Sequence, residues 1–231
     1  MAFRMDIYWG GQALIKLKGK NATVVIDPFD PEFTGLKLPK DLISDVVLIS
    51  HNHNDHNNSG AVKSPTGEEI MVFDKSGEYE VSGVVITGVP SFHDDKNGAE
   101  RGANIIFHLM FDGLDLVHLG DLGQSKLTEE QLAQIGEVDI LFIPVGSVYT
   151  INGKVASEIV SQLEPKIIVP IHYKPSLPSG DGKIEGLKFE LEGVESFLKE
   201  MGAENALSQP KLSISRDKLP EEPMVVVLSK S

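Results

Sequence analysis

The sequence predicts an α/β sandwich in which two β-sheets pack face to face and helices lie outside. The first half of the chain reads as a hairpin at 6–27 followed by a buried strand at 45–50. The second half repeats this order, with a hairpin at 103–121 and a buried strand at 138–144. The 22 glycines and 13 prolines indicate the many turns of a strand-rich fold. Two similar halves that face each other would bury one sheet against the other.

The first half begins with a strand pair. Residues 6–17 alternate polar and apolar side chains around a Trp-Gly-Gly segment at 9–11, which predicts a strand, a turn and a second strand. A β-branched strand follows at 22–26, and a proline-punctuated loop at 30–44 has room for one short helix. The next strand, at 45–50, is continuously apolar, which is typical of a strand buried on both faces. The other elements of this half are a helical turn from about residue 57, a strand at 70–73 and a strand pair at 77–89.

The second half begins with a hairpin whose strands, 103–111 and 114–119, turn at Gly113. Thr128 and Gln131 form a capping-box pattern, which predicts a helix that reaches about residue 135. The remaining elements of this half are a buried strand at 138–144, a helix at 156–163 and a strand at 166–171 that runs into His172.

The C-terminal part is interpreted as an extension of the same domain, so that residues 1–231 form a single unit. A Pro/Gly/Ser-rich loop is expected at 176–186 and an amphipathic helix at 192–201. Two short edge strands are expected at 211–215 and 224–228.

The chain is acidic, with 34 Asp and Glu against 21 Lys and Arg and a formal net charge of −13. This balance argues against broad binding to nucleic acid or to membranes, because both surfaces are anionic. The first six residues lack the apolar core of a signal peptide, and no run approaches transmembrane length. A cytoplasmic enzyme with a small-molecule substrate is therefore expected; the oligomeric state stays open, a homo-oligomer included.

The chain has no cysteine. Disulfides and thiol catalysis are therefore excluded. Any bound metal must be held by nitrogen and oxygen ligands.

Three of the 7 histidines lie within residues 51–56, which read His-Asn-His-Asn-Asp-His directly after the buried strand. Imidazole and carboxylate are the usual nitrogen and oxygen ligands of zinc and its first-row neighbours. Side chains two residues apart in an extended segment point the same way, so His51 and His53 can share one ion, while Asp55 and His56 could reach a second. The alternative is a polar loop that binds no ion, but the position after a buried strand favours a metal site.

Further ligand candidates follow later strands: His93, Asp121 and His172. His118 competes with His93, but it lies inside an apolar strand, where a buried and hydrogen-bonded histidine is the commoner outcome. Asp121 could alternatively be a turn carboxylate that accepts from backbone amides. His108, in mid-strand, is interpreted as structural or surface-exposed.

The His-x-His-x-Asp-His pattern after a buried strand resembles the signature of the metallo-β-lactamase superfamily. This resemblance implies a four-layered αβ/βα sandwich of two mixed β-sheets with helices outside. The segments Gly-Asp-Leu-Gly at 120–123, Ile-Pro-Val-Gly at 143–146 and Pro-Ile-His-Tyr-Lys at 170–174 are most similar to predicted metal-dependent hydrolases related to ascorbate-phosphate lactonase. The similarity to that group runs from about residue 6 to 175. A cysteine-containing second site is impossible here, which argues against β-lactam hydrolysis.

The resemblance also implies a ligand set for two divalent ions, with zinc expected and manganese, nickel or iron as alternatives. Asp27 matches an early aspartate that orients a ligand without binding metal itself. The implied ligands are His51, His53 and His93 for the first ion, Asp55, His56 and His172 for the second, and Asp121 bridging the two.

Such a site predicts a metal-dependent hydrolase in which a metal-bridging hydroxide attacks an ester, lactone or phosphodiester. Asp55 or Asp121 would orient the hydroxide and manage its proton. Lys96, Arg101 and Lys174 follow the ligands closely and would suit an anionic substrate, although solvated loop charges are an equal alternative. Tyr149 is a further candidate for substrate contact.

Two other classes stay open. The chain could be a non-catalytic metal-binding regulatory or scaffold protein of the same fold, although a complete ligand set argues against this. An oxygen-handling di-iron site would need a redox partner domain, which the sequence lacks.

Overall fold

A computed structural model of the protein describes residues 4–175 and 187–231, so the loop expected at 176–186 lies outside the described residues. Four α-helices and thirteen β-strands are present in the described part. The helices are α1 (Pro31–Thr34), α2 (Glu129–Ile135), α3 (Gly153–Leu163) and α4 (Glu195–Glu200). The strands are β1 (Met5–Gly11), β2 (Leu14–Lys18), β3 (Thr23–Ile26), β4 (Val46–Leu48), β5 (Met71–Phe73), β6 (Gly77–Val81), β7 (Val84–Phe92), β8 (Ala103–Phe111), β9 (Leu114–His118), β10 (Ile140–Pro144), β11 (Ile167–Ile171), β12 (Leu212–Ile214) and β13 (Met224–Val225).

The strands form two mixed sheets, as expected. The six-stranded sheet has the order β12-β1-β2-β3-β4-β5, and the seven-stranded sheet has the order β13-β11-β10-β9-β8-β7-β6. In the first sheet β2 and β3 are antiparallel, whereas β3, β4 and β5 are parallel. In the second sheet β8 and β9 are antiparallel, whereas β9, β10 and β11 are parallel. The repeat visible in the sequence therefore corresponds to the same hairpin-plus-parallel-strand unit in each sheet.

The main core combines residues of both sheets with residues of helices α2, α3 and α4. In β3, Val24 and Ile26 belong to the main core, while Val25 belongs to a separate cluster with Leu14 and Phe29. That second cluster is covered by the 28–62 region, whose only α-helix is the four-residue α1. The outer layer over the six-stranded sheet is thus mostly loop, because the prolines there leave room for one helical turn only.

Helices α2 and α3 begin at strong caps. Thr128 and Gln131 form the predicted capping box of α2. Helix α3 begins earlier than predicted, at Gly153, because the side chain of Asn152 accepts the N–H of Val155. No helix within 4–175 or 187–231 is long and apolar enough to cross a membrane.

The C-terminal extension joins both sheets. The predicted edge strands are present in shortened form, and they lie in different sheets: β12 pairs with β1, and β13 pairs with β11. The predicted helix at 192–201 is confined to α4. The extension packs on the sandwich, since Leu212, Ile214, Phe197 and Leu198 all belong to the main core.

Candidate metal centre

The candidate ligands are carried by the ends of strands. The 51–56 loop follows β4, and His93, Asp121 and His172 follow β7, β9 and β11 respectively. Strands β9, β10 and β11 are parallel, and β7 runs in the same direction as β9 because β8 is antiparallel to both. The carboxyl ends of these strands therefore meet at one edge of the sandwich, where sites of sheet proteins commonly form.

The seven side chains form two groups, and within each group one potential ligand atom per residue lies within 4.8 Å of all the others. All of them except His53 are buried. The first group is His51, His53 and His93, and the second is Asp55, His56, Asp121 and His172.

Asp121 lies between the two groups. Its Oδ2 atom is 3.3 Å from His93 Nε2 and 4.0 Å from His51 Nε2, both in the first group. The same atom is 3.2 Å from His56 Nε2 and 3.3 Å from His172 Nε2, both in the second group. A carboxylate surrounded by four imidazole nitrogens in this way can join two cation sites.

Several of these atoms are buried without a hydrogen-bond partner among the described residues. They include the Nε2 atoms of His51, His56 and His172 and the Oδ1 atom of Asp121. Burying an unpaired polar atom costs about 1–3 kcal/mol, so a concentration of them at one point requires a partner from outside the chain. Imidazole and carboxylate donors without sulfur fit a divalent ion such as zinc.

The charges within the cluster fit a cation as well. Burial, followed by the charge of His56, lowers the pKa of His51 to about 3, so this ring is neutral and free to bind through nitrogen. Burial also opposes charge on His56, but Asp121 and Asp55 raise its pKa well above the ordinary value. Burial opposes charge on Asp121, yet His172 and His56 hold the pKa of that carboxyl well below its ordinary range. Without metal, the cluster thus keeps a proton on His56, which a bound cation would displace.

Asp27 orients two of the histidines, directly and through Ser50. Its Oδ2 atom lies 3.0 Å from His56 Nδ1. Asp27 also accepts from the Ser50 N–H and from the Ser50 hydroxyl, both at 2.7 Å, and Ser50 Oγ lies 3.0 Å from His51 Nδ1. With Nδ1 of His56 facing Asp27 and Nδ1 of His51 facing Ser50, Nε2 of each ring faces the centre of the cluster, as in many metal sites. The role expected for Asp27 is consistent with these contacts, whereas Ser50 gave no signal in the sequence.

The backbone at His172 is held by the β1–β2 turn. His172 has a φ of 51°, and its N–H donates to the carbonyl of Gln12, whose own φ is 48°. The same carbonyl accepts from Trp9 Nε1 at 2.7 Å. This contact between the first hairpin and β11 fixes the direction in which the His172 side chain leaves the sheet.

Asn104 holds the backbone of Asp121. Its Oδ1 atom accepts the Asp121 N–H at 3.0 Å, and its Nδ2 atom donates to the Leu119 carbonyl and to Ser91 Oγ. The side chain is 1% exposed. Gly120 lies between Leu119 and Asp121 in the chain, and its φ of 57° is a backbone conformation that favours glycine.

The loop after His93 is built around Asp94. Its carboxylate accepts four backbone N–H groups, from Lys96 and Gly98 on one oxygen and from Glu100 and Arg101 on the other, at 2.7–2.9 Å. Burial would raise the pKa of this carboxyl, but the four donors hold it well below its ordinary value. Asp94 was not among the residues predicted for the site, although its place directly after a candidate ligand is a usable signal.

A cavity of about 410 Å³ opens beside the ligands. Two of the four residues singled out for substrate contact, Arg101 and Tyr149, line it. Lys96 does not, and pairs with Glu100 on the surface; Lys174 is exposed and its N–H donates to Glu192 O. The lining residues are Phe33, Asn52, His53, Asn54, Asp55, His93, Arg101, Asp121, Tyr149 and Phe189.

The two remaining histidines lie outside the cluster, as expected. His118 is fully buried; its Nε2 atom lies 2.8 Å from the Ala13 carbonyl, and its Nδ1 atom accepts the Gly120 N–H. His108 lies 3.1 Å from Asp115 across the β8–β9 pair.

Comparison with known proteins agrees with this geometry. A family model described as a β-lactamase superfamily domain matches residues 6–172. A UPF0173 metal-dependent hydrolase from Methanopyrus kandleri is 27% identical over 215 residues, covering 81% of this chain and 92% of the relative. Another protein of that name from Methanoregula boonei is 30% identical over 191 residues, covering 73% and 82%.

A solved structure from Thermotoga maritima has a TM-score of 0.75 and 38% identity to this chain, covering 97% of this chain and 98% of its own. That protein is described as a candidate Zn-dependent hydrolase of the metallo-β-lactamase superfamily. The names of these relatives specify no substrate, so the narrower resemblance to lactonases stays a prediction.

Proposed function

The chain belongs to the β-lactamase superfamily, and on that premise we propose that it is a hydrolase that uses two divalent ions, zinc before manganese, nickel or iron. The bond that it cleaves is an ester, lactone or phosphodiester of a small molecule. The observation that carries the proposal is the pair of ligand groups that Asp121 joins at one cavity. The first ion is held by His51, His53 and His93, the second by Asp55, His56 and His172, and Asp121 is shared.

When bound, such ions lower the pKa of a bound water towards neutrality and polarise the carbonyl or phosphoryl oxygen under attack. Asp55 and Asp121 both line the cavity, and neighbouring histidines keep the pKa of each carboxyl below its ordinary value. Each carboxylate is therefore ionised at neutral pH and can accept a hydrogen bond from the attacking water. Asp55 is the candidate to pass the proton on, since Asp121 Oδ2 is enclosed by four imidazoles.

The direct test combines metal analysis with a substrate panel. Protein stripped with chelator is reloaded with each of the four metals, its metal content is measured by elemental analysis, and hydrolysis of 4-nitrophenyl acetate, dihydrocoumarin and bis(4-nitrophenyl) phosphate is followed. We expect about two equivalents of metal and activity on at least one substrate that chelator abolishes. Activity that survives chelation would contradict the proposal. Full metal loading with no turnover would favour the regulatory or scaffold alternative.

His53→Ala sharpens this test because His53 is the one exposed ligand. Its loss should leave the fold intact and reduce bound metal from about two equivalents to one, with at least a hundredfold loss of kcat/KM. His108→Ala is the matched control, since His108 lies away from the cluster beside Asp115. Unchanged metal content and activity in His53→Ala would exclude His53 from the site.

A further inference from the structure

The cavity beside the candidate metal centre combines an aromatic wall with one cationic side chain. On the basis of the proposed function, we infer that its substrate is a small carboxylic ester or lactone that carries both an apolar group and an anionic group. Phe33, Tyr149 and Phe189 bind the apolar group, and Arg101 binds the anion. This assigns a substrate class to the site and makes Arg101 its specificity-determining residue.

The aromatic wall comes from three distant parts of the chain. The rings of Phe33 and Phe189 meet edge to face at a centroid distance of 5.1 Å, and those of Phe189 and Tyr149 do so at 5.7 Å. Phe33 is 41% exposed, although it is a large apolar side chain. Aromatic side chains that are left open at a cavity are typical of a site for an apolar ligand group.

Arg101 stands at the other side of Tyr149. Its guanidinium donates to the carbonyls of Tyr149 at 2.6 Å and Val148 at 3.2 Å, and its Cζ atom lies 5.2 Å from the centroid of the Tyr149 ring. Two of its five N–H donors are therefore engaged by neutral groups, and no other described residue accepts from the remaining side-chain donors. Within residues 4–175 and 187–231 no carboxylate forms a salt bridge with it, so no described residue neutralises its charge.

Arg101 is held in place before any substrate arrives. Its backbone N–H is the last of the four donors that surround the Asp94 carboxylate, and its side chain is tied to the 148–149 backbone. A charged group fixed from both ends loses little conformational freedom when it binds an anion, which favours selective binding.

The charge around Arg101 decides from which side an anion reaches it. A second cavity of about 310 Å³ lies beyond Arg101 and Tyr149, and it is lined by the acidic residues Asp95 and Glu100. An anion is repelled there. The 410 Å³ cavity also has two carboxylates in its lining, Asp55 and Asp121, but these are candidate metal ligands whose charge the bound cations would offset, and aromatic and amide side chains line it as well. The anionic group therefore binds Arg101 from the cavity that also holds the reacting bond.

The same features argue against a polymeric phosphodiester. Binding a nucleic-acid backbone requires several cations along the strand, and among the described residues that line the cavity Arg101 is the only Lys or Arg. The net charge of −13 also disfavours binding of a polyanionic strand. One cation and an aromatic wall match a small amphipathic monoanion.

Three esters with one leaving group and one acyl length test the inference on zinc-loaded protein: mono-4-nitrophenyl adipate, 4-nitrophenyl hexanoate and 4-nitrophenyl 6-aminohexanoate. They end in a carboxylate, a methyl group and an ammonium group. We expect kcat/KM for the adipate ester to exceed that for the hexanoate at least tenfold, with the aminohexanoate lowest. Arg101→Gln should bring the adipate-to-hexanoate ratio close to one, chiefly by raising KM for the adipate, and Arg101→Lys should restore part of it.

The controls separate charge from loop structure. Lys96→Gln removes a cation from the same loop that does not line the cavity, and it should change none of the three rates. Phe189→Ala should lower kcat/KM for the adipate and hexanoate esters about equally. Calorimetric titration with the unreactive monoanilide of adipic acid and with hexananilide gives a readout without turnover: Arg101→Gln should weaken binding of the monoanilide at least fivefold more than that of hexananilide.

The outcomes distinguish this inference from the proposed function. Chelator-sensitive hydrolysis of all three esters at similar rates would overturn the substrate class and leave the hydrolase standing. Chelator-sensitive cleavage of bis(4-nitrophenyl) phosphate alone would also overturn it, in favour of a phosphodiester. Absence of chelator-sensitive hydrolysis on every substrate would overturn both.

Discussion

Replacing Asp27 by asparagine tests whether the buried carboxylate sets the chemistry of the candidate ligands. Asp27 is fully buried and has a φ of 50°, which asparagine tolerates. The amide oxygen can still accept the Ser50 N–H. The amide nitrogen would then face His56 Nδ1 and donate to it, which drives the imidazole proton to Nε2, the atom that points into the cluster. A ring protonated at Nε2 cannot bind a metal there.

Asp27→Asn should lower both the stability of the metal-free protein and its affinity for metal. Losing the charge of the carboxylate weakens the charge-assisted hydrogen bonds that it accepts from Ser50 and removes its charge contact with His56, which lowers the free energy of unfolding of metal-free protein by about 1.5–3 kcal/mol. Metal affinity falls about 10- to 100-fold, as for other residues that orient a metal-bound histidine. That range corresponds to about 1.4–2.7 kcal/mol. Urea denaturation with chelator present measures the loss of stability, and competition with a chromophoric chelator measures the loss of affinity.

Asp45→Asn is the matched control. The Asp45 carboxylate accepts the Thr23 N–H at 2.7 Å at the other end of the same β3–β4 pair, away from the ligands. This variant should lose some stability but bind both metal equivalents normally. If Asp27→Asn bound both equivalents with an affinity within threefold of the wild type, the argument that Asp27 selects the His56 tautomer would be refuted.

Two further predictions concern the turn that presents Asp121. Gly120→Ala should lower the free energy of unfolding by about 2–5 kcal/mol, because its φ is 57° and a Cβ would overlap Asn104 Oδ1 and lie 2.7 Å from Ser50 Cβ. Gly113→Ala is the control, since Gly113 has a φ of 77° but open space around the new Cβ; it should lower the free energy of unfolding by only about 1–2 kcal/mol, measured by urea denaturation. Equal losses of unfolding free energy in the two variants would contradict the role of the close contacts at Gly120. Asn104→Ala should cost about 2–3 kcal/mol and weaken metal binding, since it removes the acceptor of the Asp121 N–H; normal metal affinity in a folded variant would show that Asp121 needs no such support.

Local signals in the sequence were sufficient for most elements of the fold. The capping box at Thr128, the β-branched run at 22–26 and the apolar run at 138–144 each depend on neighbouring residues only, and each corresponds to an observed element. The ligand-rich segment at 51–56 is equally local, because its residues are consecutive. The superfamily and the two mixed sheets were therefore predictable before any tertiary contact was known.

The pairing of strands that are far apart in the sequence was not predictable from local signals. The two C-terminal strands were expected at sheet edges, but nothing local indicates that β12 would pair with β1 in one sheet and β13 with β11 in the other. Boundaries also shifted where a side chain outside the periodic region acts as a cap, as Asn152 does for α3.

By itself, the sequence determined which residues could bind metal and which strands carry them, since side-chain chemistry and hydrophobic period are properties of the local chain. The tertiary structure alone decided that Asp27 acts partly through Ser50, that the Arg101 side chain is tied to the 148–149 backbone, and that an aromatic wall assembles beside the ligands. The physical reason is that these contacts join side chains far apart in the chain. Their geometry depends on how the two sheets dock, and no local pattern encodes that arrangement.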